Sequence, residues 1–169
     1  MRKLLNLVFG FALILFTSVF LWIKYISNHN VGEINFNQSA GDDPSFLLCN
    51  EKEIYQYYSV HTSFIGGRKA IRKFIRKELT SNFTFENDDF GYITFRFIIN
   101  CNGQLGRIRF KSVDHEMKKK KFTQKKVEKL KEVISLLKNW SPGKVSNNKY
   151  DSYYQITFKI NKGKVVDIF

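Results

Sequence analysis

Residues 92–100 constrain the fold more than any other segment, because they alternate strictly between the two faces of a strand. The apolar members are Ile93, Phe95, Phe97 and Ile99. Tyr92, Thr94 and Arg96 occupy the positions between them. Side chains in a strand point to opposite faces with a period of two, so this pattern predicts a strand with one buried face.

An Asn-Gly pair at 102–103 follows this strand and indicates a hairpin. A two-residue type I′ turn needs positive φ at both central positions, which Asn and Gly adopt readily. Counting outward from that turn sets Phe97 opposite Ile108 and Phe95 opposite Phe110, so two apolar faces coincide. We therefore predict an antiparallel hairpin, with Cys101 on its buried face.

Two further segments have the spacing of amphipathic helices. The first, 68–79, carries its apolar residues on one face. The second begins after Thr123, a suitable N-cap, and its apolar stripe ends at Trp140, just before Pro142-Gly143. We expect both helices to pack on the sheet, with Trp140 in the core.

The C-terminal region alternates again and predicts one or two strands. Residues 151–160 read as a strand whose inward side chains are Tyr154, Ile156, Phe158 and Ile160. A three-residue turn at 161–163 would set Phe158 opposite Val166 and add a short last strand. A short strand is also expected within 54–60, which is rich in aromatic and β-branched residues.

The N-terminal run Leu4–Ile23 contains no charged residue. About 20 helical residues rise about 30 Å, the thickness of the bilayer core. The run ends in bulky residues rather than a cleavage site, so we expect a retained transmembrane helix rather than a cleaved signal peptide. Residues 1–3 would be cytoplasmic, 24–53 a linker and 54–169 a folded domain. The chain would then be a single-pass inner-membrane protein with its C-terminal domain in the periplasm.

The two cysteines, Cys49 and Cys101, could form a disulfide in an exported domain. They lack the spacing of a zinc site with His61 and His115, so no metal and no cofactor are expected. No nucleophile stands near a base, and the paired carboxylates lie in polar loops. We therefore expect no catalytic residues and no enzyme activity.

Three stretches in this order resemble the C-terminal domain of TonB-family proteins, in the form common in Bacteroidetes. They are FIGGRKAIRKFIRKEL from Phe64, GYITFRFIINCNGQLGRIRF from Gly91, and NWSPGK from Asn139 followed by YYQITFKI from Tyr153. The resemblance covers about residues 54–169. The prolines that the family carries near Thr62 and Ile65 are missing, and so is the His of its membrane helix.

This resemblance implies an α+β fold and a function. The fold would be an antiparallel sheet, made of the hairpin and the C-terminal strand, packed by two helices and preceded by the transmembrane helix. TonB couples an ExbB–ExbD motor to outer-membrane transporters, and its C-terminal domain takes a transporter peptide as an added strand. The matching edge residues here are Asp151, Tyr153, Gln155, Thr157 and Lys159.

A formal net charge of +13 supports an alternative, a structural or anion-binding module without energy transduction. The first predicted helix carries six cations on its polar face: Arg68, Lys69, Arg72, Lys73, Arg76 and Lys77. A solvated helix face would have the same composition. Nucleic acid is not expected as a partner if the domain is exported.

Overall fold

The computed structural model describes residues 2–29, 41–79 and 82–169. The helices are α1 (Arg2–His29), α2 (Gly67–Glu78) and α3 (Gln124–Ser135). The strands are β1 (Tyr55–Gln56), β2 (Ser63–Phe64), β3 (Gly91–Ile99), β4 (Leu105–Val113), β5 (Trp140–Ser141), β6 (Gly143–Val145), β7 (Asn148–Tyr150), β8 (Ser152–Asn161) and β9 (Lys164–Ile168). The chain divides into two compact units, Met1–Asn35 and Phe36–Phe169.

The first unit holds α1, and it corrects one prediction. Within the described ranges 2–29, 41–79 and 82–169, no helix is both long enough and apolar enough to cross a membrane. Crossing requires about 20 predominantly apolar residues, and lack of charge alone does not meet that requirement. Polar Asn6, Thr17 and Ser18 lie within the run. The transmembrane helix predicted at 4–23 is therefore wrong, and so is the inner-membrane localisation derived from it.

The second unit has α+β architecture and is built on one five-stranded sheet. Its strand order is β1-β8-β3-β4, and β9 also pairs with β8. The central strands β3 and β8 run antiparallel over their whole length, from Gly91 opposite Ile160 to Ile99 opposite Ser152. Two small sheets, β2 with β5 and β6 with β7, lie outside it.

The core lies between α2, α3 and the apolar face of the sheet. The alternating residues of β3 and β8 supply that face, as their sequence pattern predicted, and Phe95, Phe97 and Phe158 are fully buried. The helices contribute Ile71 and Ile75 from α2 and the stripe from Val127 to Leu137. The two-helix, one-sheet prediction is correct for this unit.

The hairpin of β3 and β4 follows the predicted register only away from its turn. Phe95 lies opposite Phe110 as predicted, but Ile98 pairs with Gly106 across an irregularity at Phe97. The Asn100 amide bonds to Gln104, so the loop has three residues, with Gly103 at φ 77°. Arg107, at φ 50°, accommodates the extra residue as a bulge in β4. Cys101 therefore lies in the loop rather than on a strand face.

The boundaries of other elements also differ from those predicted. The strand expected within 54–60 is reduced to β1, and the second helix ends at Ser135, so Trp140 belongs to β5. Residues 41–53 of the predicted linker fold with the second unit, where Phe46 is buried over Gly106. Residues 24–29 belong to α1, and residues 30–40 of that linker lie outside the described part of the chain.

Candidate strand-addition site

The strand predicted to receive a partner, β8, lies inside the sheet rather than at its edge. β3 covers one side of it completely. On the other side, here called the outer edge of β8, β1 pairs in parallel with Ser152 and Tyr153. Further along, β9 pairs antiparallel with Phe158 to Asn161. Two short elements thus occupy most of the outer edge.

The β1 end of this edge is held by two backbone hydrogen bonds. The Tyr55 amide donates to the Asp151 carbonyl at 3.0 Å, and the Tyr57 amide donates to the Tyr153 carbonyl at 3.0 Å. The Tyr57 ring packs against Tyr154 with centroids 4.8 Å apart. The backbone of Tyr153 therefore faces outward but already has a partner.

The β9 end is held by a longer ladder. Thr157 and Phe169 exchange two backbone hydrogen bonds, of 2.7 and 3.0 Å, and Lys159 lies opposite Asp167. The register slips between Lys159 and Ile160, and the turn is a two-residue loop with positive φ at Lys162 and Gly163. Phe158 consequently lies opposite Ile168 rather than Val166. The predicted last strand exists, but its predicted register was wrong.

Gln155 lies in the gap between the two strands that cover this edge, β1 and β9. It is exposed, and its outward backbone groups bond to no residue in the part of the chain that the structure describes. Beside it lies a small notch, lined from α2 by Arg68, Ile71 and Arg72 and from the end of the chain by Ile168 and Phe169. Of the five predicted edge residues, Gln155 alone combines an exposed side chain with outward backbone groups that neither β1 nor β9 covers.

Asp151 has a different role from the predicted one. It is 1% exposed, and its carboxylate accepts three backbone amides: Cys49 at 2.7 Å and Asn50 at 2.9 Å on Oδ2, and Cys101 at 2.8 Å on Oδ1. Cys49 and Cys101 are joined by a disulfide. Asp151 therefore ties the N-terminal segment, the β3–β4 loop and the start of β8 together.

The side chains on the second face of the sheet are also engaged. The Thr157 hydroxyl lies 3.0 Å from that of Thr94, and the Arg96 guanidinium stacks over the Tyr153 ring, 4.6 Å from its centroid. Nearby, Arg109 makes a two-pronged ion pair with Asp42, at 2.6 and 2.5 Å. The hydrogen bond to Asp42 raises the pKa of Arg109 above its ordinary value. No local sequence pattern indicates the Asp42–Arg109 pair, which joins residues 67 apart.

The six cations of α2 have no acidic partner among the residues that the structure describes. Among the described residues, none of them is within 4.0 Å of a carboxylate. Arg68 donates to the Tyr57 hydroxyl at 3.2 Å, and the buried Nε of Arg72 has no hydrogen-bond partner in the same residues. Burial raises the pKa of the Tyr154 phenol, although neighbouring Arg68 opposes that shift. The structure thus brings the cationic helix to the notch beside Gln155.

The surroundings of Asp151, at the start of β8, contain the only set of possible metal ligands found among the described residues. Ligand atoms of Cys49, Cys101 and Asp151 lie within 4.8 Å of one another. The sulfurs are bonded to each other, and the carboxylate already accepts three amides. A disulfide sulfur lacks the thiolate charge that binds metal, so this arrangement fits a structural link better than a metal site.

Comparison of the chain with protein-family models, with curated proteins and with solved structures gave no match.

Proposed function

We propose that the second unit is a protein-binding module that accepts an extended segment of a partner on the outer edge of β8. The observation that carries the proposal is that neither β1 nor β9 covers the outer edge at Gln155. These two covering strands have only two and five residues. Backbone groups at a sheet edge are a template for an added strand, and alternate side chains then supply selectivity.

The cover on the C-terminal side is β9, which we expect to exchange with the partner. Its exposed or half-exposed side chains include Lys164, Val165, Val166 and Asp167, and only Ile168 is inserted into the core. A partner strand that supplies a comparable apolar residue could replace the contacts of β9. The cost of exchange is therefore small compared with opening the core.

Strand complementation tests this directly. The chain truncated after Gly163 is mixed with a synthetic peptide, KVVDIF, that has the sequence of residues 164–169. We expect the peptide to bind the truncated chain and to shift the amide resonances of 155–161, whereas the intact chain, whose edge is covered, binds it far more weakly. A control peptide carrying Ile168→Asp should not bind, because it places a charge where Ile168 is buried.

Two outcomes would contradict the proposal. One is a folded truncated chain, with its β3–β8 amide resonances unchanged, that does not bind the peptide. The other is a truncated chain that is unfolded, since β9 would then belong to the core rather than to an exchangeable cover. The natural partner suggested by the TonB resemblance is a transporter peptide. Coupling to a motor stays a prediction from that resemblance alone.

The lack of acidic partners around α2 in the described part of the chain favours a second candidate, binding of an anionic polymer. The exclusion of nucleic acid rested on a localisation that proved wrong, so it no longer has support. A fluorescent polyphosphate titrated at two salt concentrations tests this candidate. Electrostatic binding should weaken steeply with salt and be lost on Arg68→Gln/Arg72→Gln, whereas strand addition should persist.

A further inference from the structure

We propose that the Cys49–Cys101 disulfide and the Asp151 carboxylate form a clasp that keeps β1 on β8, and that reduction by a dithiol opens the N-terminal part of the edge. Opening would expose the edge beside Ser152 and Tyr153 in addition to Gln155, so that a partner strand could pair with more of β8. This consequence for a partner rests on the proposed function. The opening of the clasp itself depends only on the contacts described below.

The segment that would open is short and has firm anchors on both sides. Downstream, Val60 is 1% exposed, and the Thr62 hydroxyl lies 2.5 Å from that of Ser152. Upstream, the Phe46 ring covers Gly106, and the Leu47 carbonyl accepts Asn100 Nδ2 at 2.9 Å. Residues 49–56 form the loop between these anchors, and β1 is its last part.

Within that loop, three hydrogen bonds go to Asp151. Two amides of the loop, from Cys49 and Asn50, bond to Asp151 Oδ2, and the Tyr55 amide bonds to the Asp151 carbonyl. The side chain of Glu51 is exposed, and its ion pair with Arg107 is 3.6 Å long, so it adds little. Loss of the bonds to Asp151 therefore releases the Tyr55 end of β1 from the backbone of β8, while Tyr57 keeps its bond to Tyr153.

Reduction removes the covalent link between the loop 49–56 and the β3–β4 loop. In the oxidised protein the amides of Cys49 and Cys101 bond to opposite oxygens of the Asp151 carboxylate, and the disulfide keeps the two segments together. Once the link is cut, opening of the loop breaks hydrogen bonds only and regains the conformational entropy that the crosslink had removed. The loop 49–56 should therefore open more often in the reduced protein.

The chemistry of opening is ordinary thiol–disulfide exchange. Cys49 is exposed and Cys101 half-buried, so a thiolate of the reductant attacks the Cys49 sulfur. The sulfur–sulfur bond breaks, and Cys101 leaves as a thiolate that takes up a proton. The second thiol of the reductant then displaces Cys49 from the mixed disulfide. The dithiol ends as a disulfide, and the two cysteines gain two electrons and two protons.

Amide hydrogen exchange of the full chain, oxidised and then reduced with dithiothreitol, tests the clasp. We expect exchange at Asn50, Tyr55 and Cys101 to accelerate about tenfold or more, as a local opening does, while Thr157 and Phe169 keep their rates. The variant Cys49→Ser/Cys101→Ser should reproduce the reduced pattern and show no response to the reductant.

Two results would overturn the clasp: unchanged exchange at Tyr55 on reduction, or acceleration by the same factor at every protected amide, which indicates global unfolding. The peptide experiment with KVVDIF is independent, because it probes the β9 end of the edge in the truncated, oxidised chain. Selective opening without peptide binding would retain the clasp and reject strand addition. Peptide binding without selective opening would do the reverse.

Discussion

At the scale of single residues, the second unit depends on two buried polar side chains whose hydrogen bonds are all within the protein. Asp151 accepts three amides, and Asn100, also 1% exposed, donates to Leu47 and Gln104 and accepts from Asn102 and Gln104. A buried polar group without a partner is costly, so both residues fix the loops around them to one arrangement. Neither could be recognised from its place in the sequence.

Asp151→Ala should be among the most destabilising single changes. It removes the charged acceptor of three amide donors, so we expect the free energy of unfolding to fall by about 3 kcal/mol. Urea unfolding followed by fluorescence measures it. Asp88→Ala, at an exposed position, is the matched control and should change stability by less than about 0.5 kcal/mol. Equal effects of the two changes would show that Asp151 is not the structural link described above.

Trp140 joins three parts of the core. Its ring lies within 5.6 Å of Phe64, Phe97 and Tyr154, centroid to centroid, and its Nε1 donates to the Leu137 carbonyl at 2.8 Å. Trp140→Ala should therefore cost about 3–5 kcal/mol, as large aromatic truncations in cores do. Trp140→Phe keeps most of the packing and should cost clearly less. A loss below about 1 kcal/mol in thermal or urea unfolding of the alanine variant would contradict this assignment.

At the scale of elements, alternation and helical spacing were sufficient to place β3, β4, β8, α2 and α3. The turns were not predicted correctly, because loop length depends on contacts that residue type does not reveal. Asn102-Gly103 favours a two-residue loop, but the Asp151 and Asn100 hydrogen bonds hold 101–103 as a three-residue loop. At the other hairpin, Lys162 adopts φ 48° in a two-residue loop that its side chain does not favour. In both cases tertiary contacts outweighed local preference.

The gap in the outer edge of β8 gives an element-scale prediction. Because the Thr157 amide donates to Phe169, the amide of Gln155, two residues earlier, also points outward. Gln155→Pro should therefore keep the fold and leave the binding of KVVDIF to the truncated chain unchanged, because the native register of that peptide ends opposite Thr157. It should weaken the binding of a peptide extended by about two residues beyond Phe169, since such a peptide would use the Gln155 amide. Thr157→Pro instead breaks an existing bond to Phe169 and should destabilise the intact chain. Calorimetric titration with both peptides and urea unfolding distinguish the two variants.

Gln155→Ala is the control for that pair, because it removes the side chain and keeps the amide. Binding of the extended peptide that survives Gln155→Pro but not Gln155→Ala would place recognition on the side chain rather than on the backbone. From the sequence alone, only the alternating pattern of 151–160 indicated the role of this edge. The turn signal at 161–163 did predict a last strand beside this segment, and β9 is that strand. That β1 covers the other end, and that Asp151 is buried, follow from long-range pairing that no local pattern encodes.

At the scale of the whole molecule, the second unit is closed by one covalent link. The disulfide joins residues 52 apart, and it connects the start of the unit to the central hairpin. Sequence analysis could propose the pair because the chain has two cysteines, but it could not place them beside Asp151. The six α2 cations were likewise identified by spacing, whereas their position beside the gap at Gln155 depends on how α2 packs on the sheet.

Removing the disulfide should lower the global stability by about 4 kcal/mol, the loop-closure entropy expected for a loop of this length. The variant Cys49→Ser/Cys101→Ser, compared with the oxidised protein in urea, measures this loss, and the reduced wild type provides a second estimate that does not change any residue. Domains of this size are typically stable by about 5–15 kcal/mol, so the variant should remain folded at low denaturant. A global loss of that size also accelerates exchange at β3 amides that exchange only by unfolding, so the local effect is measured by the order of exchange. In the variant, the loop 49–56 should open before the sheet does and exchange faster than β3. Equal opening free energies for β1 and β3 in the variant would instead show that the disulfide supports the unit as a whole and has no local effect on the outer edge of β8.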